Sequence, residues 1–201
     1  EELYVSIEPR FGWDEVLPPE TASTIRRWWV EGSMDIAVAI DSPEGEWLVT
    51  HAGLTEPLWR AMRSPRSSRI AAEGLNAMAR SGDGRVRRAG QMLGNGIDLM
   101  AGPIWASAAT ELVPSWLAAG DMPWHQVHGH STLVDWWRRI PRVGEEVLAV
   151  SGFDFERRFE MTAIGGRDIV GIDPSHGRRA ARNWAPLVIE DGAVISRPGR
   201  K

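Results

Sequence analysis

Cysteine is absent from all 201 residues. This excludes disulfides, thiolate zinc sites and a cysteine nucleophile together. Any metal held by this chain must therefore be bound through His, Asp, Glu or Asn. Long apolar runs are also lacking: stretches such as Ile36 to Ile40 fall far short of the ~20 residues a membrane-spanning helix needs. No membrane partner is expected. Neither sign of charge dominates, because 23 basic residues face 27 acidic ones for a net charge of -4. That balance argues against an affinity for nucleic acid built on counterion release. Internal repeats and low-complexity tracts are missing too. The first residues, Glu1-Glu2-Leu3-Tyr4, carry no initiator Met and neither the basic nor the apolar region of a signal peptide. The expectation is a cytoplasmic protein of which this chain is an internal start.

What is present is an ordinary globular composition: 43% hydrophobic, 25% charged and a mean hydropathy of -0.26. One domain over residues 1–201 is expected. Its pattern reads as α/β. Residues 1 to 19 are broken by Pro9, Gly12, Pro18 and Pro19 into an irregular lead-in. From Thr21 to Glu31 the spacing of Ile25, Trp28 and Trp29 predicts a helix with the Trp pair on a packed face and Gly32 as its cap. Met34 to Ile40 and Glu46 to His51 read as a hairpin turned at Ser42-Pro43-Glu44-Gly45. Residues 55 to 120 read as mostly helical: Glu56 to Arg63, Ser67 to Arg80, and a segment ending at Gly120, with a loop-rich stretch from Gly82 to Pro103. Strands are expected at Trp124 to His128, Glu146 to Val150, Arg158 to Ile164, Asp168 to Ile172 and Pro186 to Glu190. A return follows at Ala193 to Ser196, and a basic tail closes the chain at Arg197 to Lys201.

Three of the five histidines, His125, His128 and His130, fall within six residues. His130 projects just beyond the end of one strand, after Gly129, and His51 ends another, before Ala52-Gly53. Two strands of one sheet would thus each deliver an imidazole to the same rim, where α/β folds collect ligand-binding groups. The plainer reading of each is a strand-end His with an ordinary hydrogen bond. Arg85, Arg87 and Arg88 stand together in the loop-rich stretch, as a solvated basic turn or as partners for a substrate anion.

Leu48-Val49-Thr50-His51-Ala52-Gly53-Leu54, followed about 75 residues later by Val127-His128-Gly129-His130-Ser131, resembles the C-terminal half of the calcineurin-like metallophosphoesterase superfamily. The bacterial serine/threonine phosphatases and diadenosine tetraphosphatases are the members most alike. Gly171-Ile172-Asp173-Pro174-Ser175 and Leu187 to Val194 are similar to that family's last strands. The resemblance implies a two-sheet sandwich flanked by helices and hydrolysis of a phosphoester at two divalent metals, manganese above all, with iron, zinc or nickel as other choices. It assigns His51 and His130 to one metal, and makes His128, Arg85, Arg87 and Arg88 candidates for supporting or substrate contacts. The implied substrate is a phosphorylated small molecule, a nucleotide or a phosphoprotein.

The family's Asp-x-His, Gly-Asp-x-x-Asp and Gly-Asn-His-Asp/Glu motifs, which carry the first metal and the catalytic His, are missing. Gly94-Asn95-Gly96 copies part of the last but lacks the His, and reads as a turn. Two explanations fit: the chain is the C-terminal portion of a longer phosphoesterase whose catalytic residues lie upstream, or it is a degenerate, non-catalytic binding module. A mononuclear zinc hydrolase using His51, His128, His130 and Asp173 is a further alternative.

Overall fold

The computed structural model describes residues 18–43, 45–174, 189–190 and 193–194. Contacts divide the chain into residues 1–35 and 36–201. The described part of the first unit is helix α1, Pro19–Val30. Pro19 opens it where a missing N–H costs nothing. Gly32 closes it at φ 72°, with its N–H on the Trp29 carbonyl and that of Ser33 on Trp28. This is the paired C-terminal bond pattern that a left-handed glycine permits. Trp28 is 46% exposed and Trp29 half-buried.

The second unit is built on a mixed six-stranded sheet. Its strands are β1 (Ala37–Ser42), β2 (Gly45–Thr50), β3 (His125–His128), β6 (Ser151–Asp154), β7 (Phe159–Ile164) and β8 (Arg167–Gly171), set side by side as β1-β2-β3-β8-β7-β6. The two central pairings, β2 with β3 and β3 with β8, are parallel, and the rest are antiparallel. The parallel strands therefore end together at one rim. Two small antiparallel pairs stand apart: β4 (Val134–Asp135) with β5 (Ile140–Pro141), and β9 (Ile189–Glu190) with β10 (Ala193–Val194).

One sheet face gathers Trp47, Val127, Met161, Val170 and Phe159 into an apolar cluster. Helices flank the sheet: α2 (Glu56–Ala61), α3 (Ser68–Arg80), α4 (Val113–Ala119) and α5 (Glu145–Val150). A single π-helical turn, Ala108–Leu112, leads into α4. Helix α3 packs on β1 and β2, while α4 packs on α2, α5 and β7. Helix α3 begins where Ser67 Oγ accepts the Arg69 N–H at 3.2 Å and the Glu46 carboxylate of β2 accepts that of Ser68. Its Asn76 does the work of a neighbouring strand for the edge of β1, accepting from Ile36 N (3.1 Å) and Ala37 N (3.0 Å) and donating to Ala37 O (2.9 Å).

One expectation changes. Glu146 to Val150 is helix, not strand. Gly144 precedes it, Glu145 and Glu146 occupy the first turn, where the helix dipole favours acids, and only Val147 is buried. The strand that replaces it, β6, follows directly at Ser151. The Trp136-Trp137 pair lies in the turn between β4 and β5. The lead-in of residues 1–17, the Asp191-Gly192 turn, the outer parts of the two last strands and the basic tail lie outside the described residues.

Candidate functional site

The sheet's carboxyl rim forms where β2, β3 and β8 end side by side. Beyond β2, the Gly53 N–H turns back onto Thr50 Oγ1 (2.9 Å), and the Ala52 N–H donates to Pro103 O (2.6 Å). Gln126 of β3 holds the next residue at both ends, with the Leu54 N–H on its Oε1 (2.9 Å) and its Nε2 on Leu54 O (3.2 Å). Gly53 stands at φ 92°, and a side chain there would collide with Leu112. The backbone of the turn carrying His51 is thus fixed by Thr50, Gln126 and Pro103.

Beyond β3, the Gly129 N–H donates to the His51 carbonyl (2.9 Å), stitching the two loops together. His130 adopts φ 63°, a left-handed conformation that costs a side-chain-bearing residue about 1–3 kcal/mol. Ser131 holds the strained residue from below: its Oγ accepts from Ala108 N at 2.8 Å and donates to Ala106 O at 3.3 Å.

The result is that His51 Nε2 faces His130 Nδ1 at 3.0 Å across 79 residues of sequence. Trp105 stands edge-on to the His130 ring at 5.3 Å. Both imidazoles are held neutral at pH 7. The packed side of His51 lowers its pKa against the pull of Asp173, and burial, reinforced by His51, pushes His130 down to about 4. One of the two facing nitrogens carries the proton that joins them, and the buried Nε2 of His130 has no hydrogen-bond partner.

Two nitrogens held ~2.0–2.1 Å from one ion at about 90–110° to each other lie about 2.9–3.4 Å apart. The observed spacing and the neutral rings thus fit two positions of a metal shell. The remaining positions are another matter: among the described residues no group of three or more His, Asp or Glu is placed to hold an ion.

His128 is turned inward, 1% exposed, and its Nδ1–H donates to the Gly129 carbonyl (2.9 Å). Burial lowers its pKa as well. The four-ligand zinc set of His51, His128, His130 and Asp173 is therefore not assembled. Of the three arginines, Arg85 pairs with Asp83 (2.5 Å) and Arg88 with Asp98 (2.5 Å). Arg87, half-buried on the 3₁₀ turn Gly84–Arg87, makes no ion pair among the described residues. That turn is tied toward the rim through Gly102, whose N–H donates to Arg88 O (2.8 Å), one residue before Pro103.

Two buried carboxyls that sequence reasoning missed support the walls. Glu111 accepts three backbone N–H groups, from Gln91 (2.9 Å), Asp98 (2.8 Å) and Ser107 (2.7 Å), and so shapes the loop that carries Trp105. Glu160 of β7 fills the space that Gly171 leaves open and meets the loop after His130 at Leu133 N and Thr132 Oγ1. The Thr132 hydroxyl is placed to donate to Glu160 Oε2 (3.0 Å) or to the Val134 carbonyl (3.1 Å). Burial, working against the hydrogen bonds from Leu133 and Thr132, pushes Glu160 up to about 8. An acid spaced thirty residues from the His motif carries no sequence signal of this role.

Neither a family model, nor a curated protein, nor a solved structure matches this chain. Among the described residues, no helix is long and apolar enough to cross a membrane.

Proposed function

We propose that this chain supplies the paired imidazoles of one metal in a phosphoester hydrolase of calcineurin-like, two-sheet architecture. The carrying observation is the 3.0 Å approach of His51 Nε2 to His130 Nδ1 at the ends of adjacent parallel strands. The left-handed His130 backbone supports the reading, since strain of this kind persists where surrounding bonds hold a group for use. On this reading the rest of the donor set and the catalytic His lie outside the described residues.

A divalent ion bound there would polarise phosphoryl oxygens and bring a water's pKa from 15.7 toward ~7. His51 Nε2 and His130 Nδ1 face each other, and because both rings are neutral the proton they share can move to the far nitrogen of its ring, which would leave both lone pairs for one ion. Trp105 shields the His130 side from solvent, and Arg87 is the arginine left to meet a phosphoryl group. Substrate choice belongs to the helical stretch 55–120, which walls the rim.

The test is metal content per chain by elemental analysis, beside hydrolysis of p-nitrophenyl phosphate with added Mn2+, on the intact protein. Retained metal and turnover, both lost in His51→Ala and His130→Ala, are the expected results. A well-folded protein with no retained metal and no turnover would show a binding module instead. A single zinc with no manganese activation would show a mononuclear hydrolase.

A further inference from the structure

Two tight turns meet beside the carboxyl rim, and they are built alike. In each, four residues join antiparallel neighbours: 136–139 between β4 and β5, and 155–158 between β6 and β7. Asp135 Oδ1 opens the first by accepting the Trp137 and Arg138 N–H groups (3.0 Å each), and Asp154 Oδ1 opens the second through Glu156 N (3.0 Å) and Arg157 N (2.8 Å). A left-handed arginine closes each, Arg139 at φ 57° and Arg158 at φ 56°. Glycine would fill either position without strain, yet both hold side chains that clasp the opposite turn. Arg139 pairs with Glu156 and lies 5.9 Å from the Phe155 ring centre, while the Arg158 guanidinium lies 4.3 Å from the centre of Trp137. Trp136 donates its indole N–H to the Asp173 carbonyl (2.8 Å), two residues past the end of β8, and so ties the first turn to the rim.

The clasp leaves one aromatic surface unused. Trp136 is 3% exposed and edge-on to Phe155, but Trp137 is 51% exposed. Arg158, itself 8% exposed, covers one face of the Trp137 ring, so the exposure belongs to the other face and the edge. An indole held rigid from behind loses little freedom when a second flat ring stacks on its open face. Arg138, next in the chain, is exposed and makes no ion pair among the described residues, whereas Arg139, Arg142 and Arg157 all face acids.

A flat π face beside an unpaired guanidinium matches a ligand that joins a planar ring to an anion. We propose that Trp137 and Arg138 form a nucleotide subsite, in which the base stacks on the open face of Trp137 and Arg138 meets the phosphate. An acidic peptide would satisfy Arg138 but leave the ring unused. The subsite needs no metal and does not rest on the metal reading of the histidine pair.

The experiment is a nitrogen-15 NMR titration of the full chain with adenosine 5′-monophosphate (AMP) in EDTA. It follows the Arg138 amide and the Trp137 indole, the latter assigned by its loss in Trp137→Leu. Adenosine and ribose 5-phosphate are titrated in parallel, with thermal melts as the fold control. AMP and adenosine are expected to shift the Trp137 indole, and ribose 5-phosphate is not. Trp137→Leu, which still covers Arg158 with an apolar side chain, is expected to weaken AMP binding by about 5- to 100-fold, and Trp137→Phe by less. Arg138→Gln is expected to weaken AMP and leave adenosine unchanged. A Trp137 indole that AMP leaves unmoved in the parent overturns the proposal, as does AMP binding by Trp137→Leu within twofold of the parent. Ribose 5-phosphate moving the indole as far as AMP would show an anion site on Arg138 alone, and overturns the stacking as well.

Discussion

Glu160 shows how a residue remote in sequence governs the loop that presents His130. Its carboxyl is raised from 4.5 to about 8, by burial first, against the Leu133 and Thr132 hydrogen bonds. Below pH 4.5 folded and unfolded chains are both protonated there. Between 4.5 and 8 only the unfolded chain has released the proton, so stability falls as pH rises and the loss is complete above 8. Thermal melts from pH 5 to 8.5 should show a downward slope that Glu160→Gln, a neutral stand-in, flattens. Parallel slopes for the two proteins would refute the assignment. Gly53 gives a second residue-scale prediction: Gly53→Ala should cost about 1–3 kcal/mol in urea unfolding, since it adds strain at φ 92° and a collision with Leu112. The histidines were legible because strand-end position and an adjacent glycine are written in consecutive letters. Glu160 and Glu111 were not, because they act on backbone groups as far as 27 and 20 residues away.

At the scale of elements, the loop between residues 88 and 107 is gathered around the Glu111 carboxylate, alongside backbone bonds such as Gly102 N–H to Arg88 O. Glu111→Ala should therefore leave β2 and β3 protected while the amides of Gln91, Asp98 and Ser107 exchange faster in a hydrogen–deuterium experiment. Protection unchanged at all three would remove Glu111 from that role. Asn76→Ala should destabilise the edge of β1 by about 1–3 kcal/mol, seen as a lower denaturation midpoint, because it strips three hydrogen bonds from residues 36 and 37. The hairpin and the central strands were readable from alternation and turn residues. Glu146 to Val150 was not: with two valines in five residues, it carries the composition of a strand, and the preference for helix comes from its acidic first turn and the one-sided burial of Val147. Short elements are decided by what they pack against, which the sequence does not state.

For the whole molecule, the mixed sheet brings the carboxyl ends of β2, β3 and β8 together, and His51, His130 and Asp173 arrive there from positions up to 122 apart in the chain. The α/β class and the meeting of the two imidazoles follow from that order of strands. The incomplete donor set among the described residues makes metal binding the claim on which the account stands. The most direct measurement is a Zn2+ titration of the full chain followed by imidazole nitrogen-15 NMR. The account predicts that His51 Nε2 and His130 Nδ1 shift together into the metal-bound range and saturate with one ion, while the His128 ring, tied to the Gly129 carbonyl, does not. Rings that leave both nitrogens unmoved, or an ion that engages one of them alone, would contradict it.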